Sequence, residues 1–133
     1  MPSPRRSATR KKAEAAGYRS GFEYTVARAL AAAGVAFDYE PENERLEYRV
    51  EETRRYLPDF KIGEIIVECK GRLTAADRKK LVLVKKQHPA IDLRLLFQFD
   101  NKLSPRSPTR YSVWATKHGF PWAVGAIPEE WLL

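Results

Sequence analysis

Apolar positions along the chain follow a helical spacing in two stretches and alternate with polar ones in several shorter runs. Phe22, Val26, Leu30 and Ala33 fall on one helical face, Ser20 and Glu23 before them have the S-x-x-E spacing of a capping box, and Gly34 supplies a stop. Val35, Phe37 and Tyr39 then alternate as a strand, the acidic stretch from Pro41 to Glu44 reads as a loop, and Leu46, Tyr48 and Val50 alternate in a further extended segment that leads through Glu51 and Thr53 toward Pro58 and Asp59. Tyr56 to Gly71 reads as a strand, a tight turn at Gly63 and a second, apolar strand. Thr74 is placed to cap a helix that runs to about His88, where Pro89 enforces an end. Leu81 and Val84 give that helix an apolar side, while Arg78, Lys79, Lys80, Lys85 and Lys86 make it strongly basic. Leu93, Leu95, Phe97 and Phe99 alternate on one more strand. A polar loop follows from Asn101 to Thr109, then a short helix from Tyr111 to His118 ended by Gly119, and Pro128 opens a last turn that Trp131 and Leu132 would pin to the core.

The order helix, three or four strands, basic helix, strand, helix predicts an α/β fold with a mixed sheet flanked by helices. With 133 residues, 44% of them hydrophobic, one domain with a real core is expected. Met1 to Ala16 departs from this: it is basic, poor in apolar residues and carries two early prolines, so residues 1–16 read as a flexible arm and residues 17–133 as the domain. No run of about 18 apolar residues and no signal-peptide pattern is present, so a soluble intracellular protein with no membrane partner is expected. One cysteine cannot make an internal disulfide, and two histidines beside it argue against a zinc site while leaving an oxygen-liganded metal open.

The net charge of +7 points to a polyanionic partner, and its distribution sharpens the point. Residues 1–12 carry five bases and no acid, residues 38–52 carry seven acids against two arginines, and residues 72–118 carry eleven bases against three acids. Arg5, Arg6, Arg10, Lys11 and Lys12 of the arm are candidate phosphate contacts, as are Lys79 and Lys80 of the basic helix and Lys102 and Arg106 of the 101–109 loop. A solubilising surface of lysines is the plainer reading of the same charges.

Candidate chemistry is concentrated in the Tyr56 to Gly71 stretch. Glu68 and Lys70, two residues apart on a strand, share a face that Val67 and Cys69 do not, and Asp59 joins them from the neighbouring strand. A strand core of Ile and Val requires neither charge, and a buried charge is costly unless it is paired or binds a metal. Pro58 and Asp59 followed by Glu68-Cys69-Lys70 match the signature of the PD-(D/E)xK nucleases. Two converging carboxylates offer oxygen ligands to a hard divalent ion, and an adjacent ammonium can orient a nucleophile or stabilise developing charge. An ordinary surface hairpin with a same-face ion pair would carry the same residues. For Glu23, helix capping is a sufficient explanation on its own.

The chain further resembles the bacteriophage endonuclease I family of Holliday-junction resolvases. The resemblance is carried by Tyr18-Arg19-Ser20-Gly21-Phe22-Glu23, Phe37-Asp38-Tyr39-Glu40, Pro58-Asp59-Phe60, Val67-Glu68-Cys69-Lys70-Gly71 and Asp77-Arg78-Lys79-Lys80, and continues through Gln87-His88-Pro89 and Lys117-His118-Gly119 to Ile127-Pro128-Glu129-Glu130-Trp131. It implies a restriction-endonuclease-like fold in an intertwined, domain-swapped homodimer. It also implies a magnesium-dependent endodeoxyribonuclease, with manganese able to substitute and one or two ions per site. The implied substrate is branched DNA, the four-way junction, with no small-molecule cofactor, in the cytoplasm of an infected bacterium. Carried over residue by residue, the resemblance makes Glu23, Asp59, Glu68 and Lys70 catalytic, with Asp59, Glu68 and Glu23 as metal ligands and Glu23 acting in trans. The segment from Arg45 to Thr53 would be the crossing bridge. Another PD-(D/E)xK nuclease acting on flaps or linear duplex, or a junction-binding module without catalysis, are the alternatives.

Overall fold

The computed structural model describes residues 11–50 and 52–133. Arg5, Arg6 and Arg10 lie outside the described residues. The chain divides into two compact units, with the boundary between Ala36 and Phe37.

In the first unit, residues 11–15 are helical and Ala13 is buried. They are followed by α1 (Gly21–Ala32), whose N-terminus is capped as the sequence predicts: the Ser20 hydroxyl accepts the Glu23 N–H at 3.0 Å. Val26, Ala27 and Leu30 form its buried stripe. The helix ends in a Schellman arrangement. The Val35 N–H returns to the Leu30 carbonyl and the Gly34 N–H to that of Ala31, with Gly34 at φ 69°, a conformation that a Cβ would strain.

The second unit, Phe37–Leu133, holds β1 (Asp38–Tyr39), a 3-10 turn at Glu42–Glu44, β2 (Leu46–Arg49), β3 (Thr53–Tyr56), β4 (Phe60–Ile62) and β5 (Ile65–Lys70). Next come α2 (Ala75–Gln87), β6 (Asp92–Phe97), α3 (Tyr111–Lys117), β7 (Trp122–Val124) and a 3-10 turn at Glu129–Trp131. A five-stranded mixed sheet has the order β1-β4-β5-β6-β7. The first two pairings are antiparallel, whereas β5–β6 and β6–β7 are parallel, with α2 and α3 as the crossovers. The predicted mixed sheet with flanking helices is thus present.

The core explains the patterning. Leu81 and Val84 of α2 pack with Leu93, Leu95 and Phe97 of β6, Ile66 of β5 and Trp114 of α3, all buried. Paired in parallel with β5 on one side and β7 on the other, β6 buries Leu95, Leu96 and Phe97 in succession, as parallel strands covered on both faces do. Phe99, expected on the same strand, lies beyond its end and is exposed.

Two expectations need correction. The strand read from Val35 to Tyr39 shrinks to Asp38–Tyr39, because two residues are all that β4 pairs: Asp38 with Lys61 and Tyr39 with Phe60. The segment from Leu46 to Thr53 does not run on as one extended piece. It reverses, with the Val50 N–H donating to the Glu52 carbonyl, so that β2 and β3 form an antiparallel hairpin in which Leu46 faces Tyr56 and Arg49 faces Thr53. The other edge of β2 is occupied by side chains from the end of α2: Gln87 bonds both backbone groups of Arg49, and the His88 ring contacts the Glu47 carbonyl. β7 was not foreseen, since its three residues become a strand through pairing with β6, Leu95 facing Trp122. Among the described residues no helix is long and apolar enough to cross a membrane.

Candidate active site

β4 and β5 are joined by a tight turn in which Gly63 sits at φ 59°. Antiparallel register pairs Phe60 with Val67, so the preceding residue, Asp59, falls beside the following one, Glu68. Pro58, fully buried, fixes the entry to β4. Asp59 Oδ2 accepts the Cys69 N–H at 2.8 Å, a bond that locks the carboxylate against the start of the hairpin.

Glu68 is the buried acid of the site, 5% exposed. Its Oε1 accepts the Tyr56 hydroxyl at 2.7 Å, and its Oε2 lies 3.0 Å from Lys70 Nζ. Lys70 Nζ also donates to Asp77 Oδ1 at 3.2 Å. Asp77 is held in turn by a reciprocal capping box: its carboxylate accepts the Thr74 N–H while the Thr74 hydroxyl accepts the Asp77 N–H. The end of β3, strand β5 and the first turn of α2 therefore fix a row running Tyr56, Glu68, Lys70, Asp77.

The electrostatics follow from this row. Burial by itself would depress the Lys70 amine, but Glu68 and Asp77 together outweigh it and leave the pKa raised, so the site holds a cation. Partial burial of Asp77 works against its ionisation, yet the Thr74 hydrogen bonds and Lys70 hold it below the usual carboxylate value. Burial, followed by the neighbouring Glu68 charge, pushes the Tyr56 hydroxyl well above the usual phenol range, so it stays protonated and donates.

Three of the four predicted catalytic residues, Asp59, Glu68 and Lys70, are brought together in the second unit, and Glu23 stands half-buried in the first turn of α1 in the first unit. The sequence matches the profile of the family described as Phage endonuclease I over residues 5–133. The chain belongs to the phage endonuclease I family. Among its relatives, "Endodeoxyribonuclease 1" of Enterobacteria phage T3 is 41% identical over 114 residues, covering 84% of this chain and 74% of that protein. "Endonuclease I" of Escherichia phage T7 is 38% identical over 118 residues, covering 86% of this chain and 78% of that protein.

Tyr56 and Asp77 escaped the sequence reading of this phage endonuclease I chain as site residues. Asp77 was legible as the partner of Thr74 in a T-x-x-D cap, but its contact with Lys70 spans a strand-to-helix connection that local spacing does not encode. Tyr56 carries no signal beyond its place in a strand.

The cations divide by location. Lys11 and Lys12 are exposed on the helical residues of the first unit. Lys79 and Lys80 line a groove of about 680 Å³ between α2 and the β2–β3 hairpin, with Arg54, Tyr48 and Leu83. Lys102 and Arg106 are exposed on the loop after β6. Lys85 is diverted from any such surface, since its ammonium stands over the Phe120 ring, 5.1 Å from the centroid.

Among the described residues, no three Asp, Glu, His or Cys side chains gather into a cage. The donor set nevertheless suits magnesium, which is commonly held by one or two carboxylates together with waters and substrate phosphate. Asp59 and Glu68 supply such a pair.

Proposed function

We propose that this protein is a structure-selective DNA endonuclease that resolves four-way junctions by hydrolysing phosphodiesters with a divalent ion. The observation that carries the reading is Asp59 set beside Glu68, with Lys70 held on Glu68, in a chain of the phage endonuclease I family. Asp59 and Glu68 would hold magnesium, and Glu23 would complete a second ion position. Bound there, the ion supplies positive charge to the phosphate oxygens and a water of lowered pKa.

The chain's own groups do the rest. Lys70, a cation between Glu68 and Asp77, donates hydrogen bonds to the attacking water or to the phosphoryl oxygens as their negative charge grows. The Cys69 N–H keeps Asp59 from swinging away from β5. As the family resemblance implies, Glu23 would act in trans in a homodimer, so that two sites form per pair of chains. Two sites fixed at one angle accept a branched substrate and cannot both track a straight duplex, so selectivity comes from DNA shape rather than base reading.

The test is cleavage of a labelled four-way junction beside a linear duplex of the same arm sequence, with magnesium and with Glu68→Ala as control. Paired cuts near the branch, absent from the duplex and from the variant, are expected. Equal cutting of both substrates would keep the chemistry and discard the junction, and binding without cutting would leave a recognition module.

A further inference from the structure

Tyr56 joins two parts of the second unit. It ends β3, in the two-stranded hairpin, whereas Glu68 belongs to the five-stranded sheet, twelve positions further along the chain. Its ring is 2% exposed and its hydroxyl is spent on Glu68 Oε1. The same ring carries Lys80, whose ammonium stands 5.7 Å from the centroid and lines the groove between α2 and the hairpin. Glu68 is held by two groups, Tyr56 on one oxygen and Lys70 on the other. Two fixed oxygens define the plane of the carboxylate, and each keeps a lone pair for a further ligand.

We propose that Tyr56 is a positioning residue for Glu68, fixing the orientation in which that carboxylate meets a divalent ion and tying it to the groove wall through Lys80. A buried phenol needs an acceptor for structural reasons alone, but a structural need would be met by any carbonyl. Here the acceptor is the one buried carboxylate of the site, and the bond crosses from one sheet to the other. Outer groups that orient a metal-binding carboxylate are commonly worth 10- to 100-fold in ion affinity or rate. The inference rests on the reading of Glu68 as an ion ligand, not on the identity of the DNA substrate.

Tyr56→Phe keeps the ring and its packing and removes the donor. In the full chain without DNA, manganese binding measured by calorimetry should weaken by about 10-fold or more. On the DNA substrate, kcat should fall by a similar factor while affinity for the DNA in the absence of metal changes less than about 2-fold, and raising the manganese concentration should recover part of the rate. A merely structural role would lower the melting temperature and leave ion affinity unchanged. Wild-type ion affinity in a folded variant overturns the proposal, as does a fall in kcat with ion affinity intact. If Tyr56→Phe does not fold, 4-fluorophenylalanine at position 56, similar in size and without a donor, is read by the same criteria. Because calorimetry uses no DNA, a wild-type protein that binds manganese but ignores four-way junctions would overturn the junction reading and leave this one standing.

Discussion

At the scale of single residues, the site is a chain of alternating charges whose members depend on one another. Removing Lys70 leaves Glu68 buried with a phenol as its remaining partner, and an orphaned buried charge is far more costly than a lost surface pair. Lys70→Met should therefore destabilise the protein by about 3 kcal/mol, seen as a lower urea midpoint, and the double variant Glu68→Gln/Lys70→Met should regain much of that loss because neither charge remains. Asp92 gives a pH prediction of known sign. The hydrogen bonds from Arg94 hold its pKa below the ordinary 3.8. A carboxylate whose folded pKa is depressed contributes stability that is fully present above its unfolded value and is lost as pH falls through the folded one. The melting-temperature advantage of the wild type over Asp92→Asn should hold at neutral pH, begin to shrink as the pH drops below about 4, and disappear once the pH is below the depressed folded pKa. It should also be small, since the Asp92 side chain is 40% exposed and solvent screens the pair.

Among the elements, α2 has the most to do. Its first turn supplies Asp77 to Lys70, its middle packs Leu81 and Val84 into the core, and its last residue clamps the edge of β2. Thr74→Ala removes half of the capping box and should cost about 1 kcal/mol in denaturant unfolding. It should also lower cutting, because Asp77 loses the hydroxyl bond that steadies it beside Lys70. Both helix caps and the Gly63 turn were legible in the sequence, because each is decided by residues within four positions of one another. The hairpin β2–β3 and the strand β7 were not. Leu46, Tyr48 and Val50 alternate whether the chain runs on or turns back, and what turns it back is pairing with Thr53–Tyr56 and the Gln87 clamp, from 38 residues away. Trp122 to Val124 is too short to announce itself, and pairing with β6 makes it a strand.

On the scale of the whole molecule, the second unit sets Lys79 and Lys80 with Arg54 along one groove and displays Lys102 and Arg106 on a loop of the same unit. If several of these contact phosphates, log affinity for DNA should fall linearly with log salt, with a slope of about −0.9 for each phosphate engaged. Lys79→Ala/Lys80→Ala should reduce that slope by about two and weaken binding to every DNA sequence alike, measured by titration at several salt concentrations. A slope unchanged by the double variant would remove the groove from the DNA-binding surface. The sequence by itself determined the elements bounded by local chemistry, the mixed-sheet class and the Asp59, Glu68 and Lys70 set, because capping, strand alternation and a two-residue spacing act over short range. Tertiary structure alone decided that a tyrosine from a separate hairpin and an aspartate from a helix cap close the row around Glu68 and Lys70. Those bonds span twelve and seven positions, and they exist because sheet register and the β5–α2–β6 crossover bring distant backbone together, which no local pattern specifies.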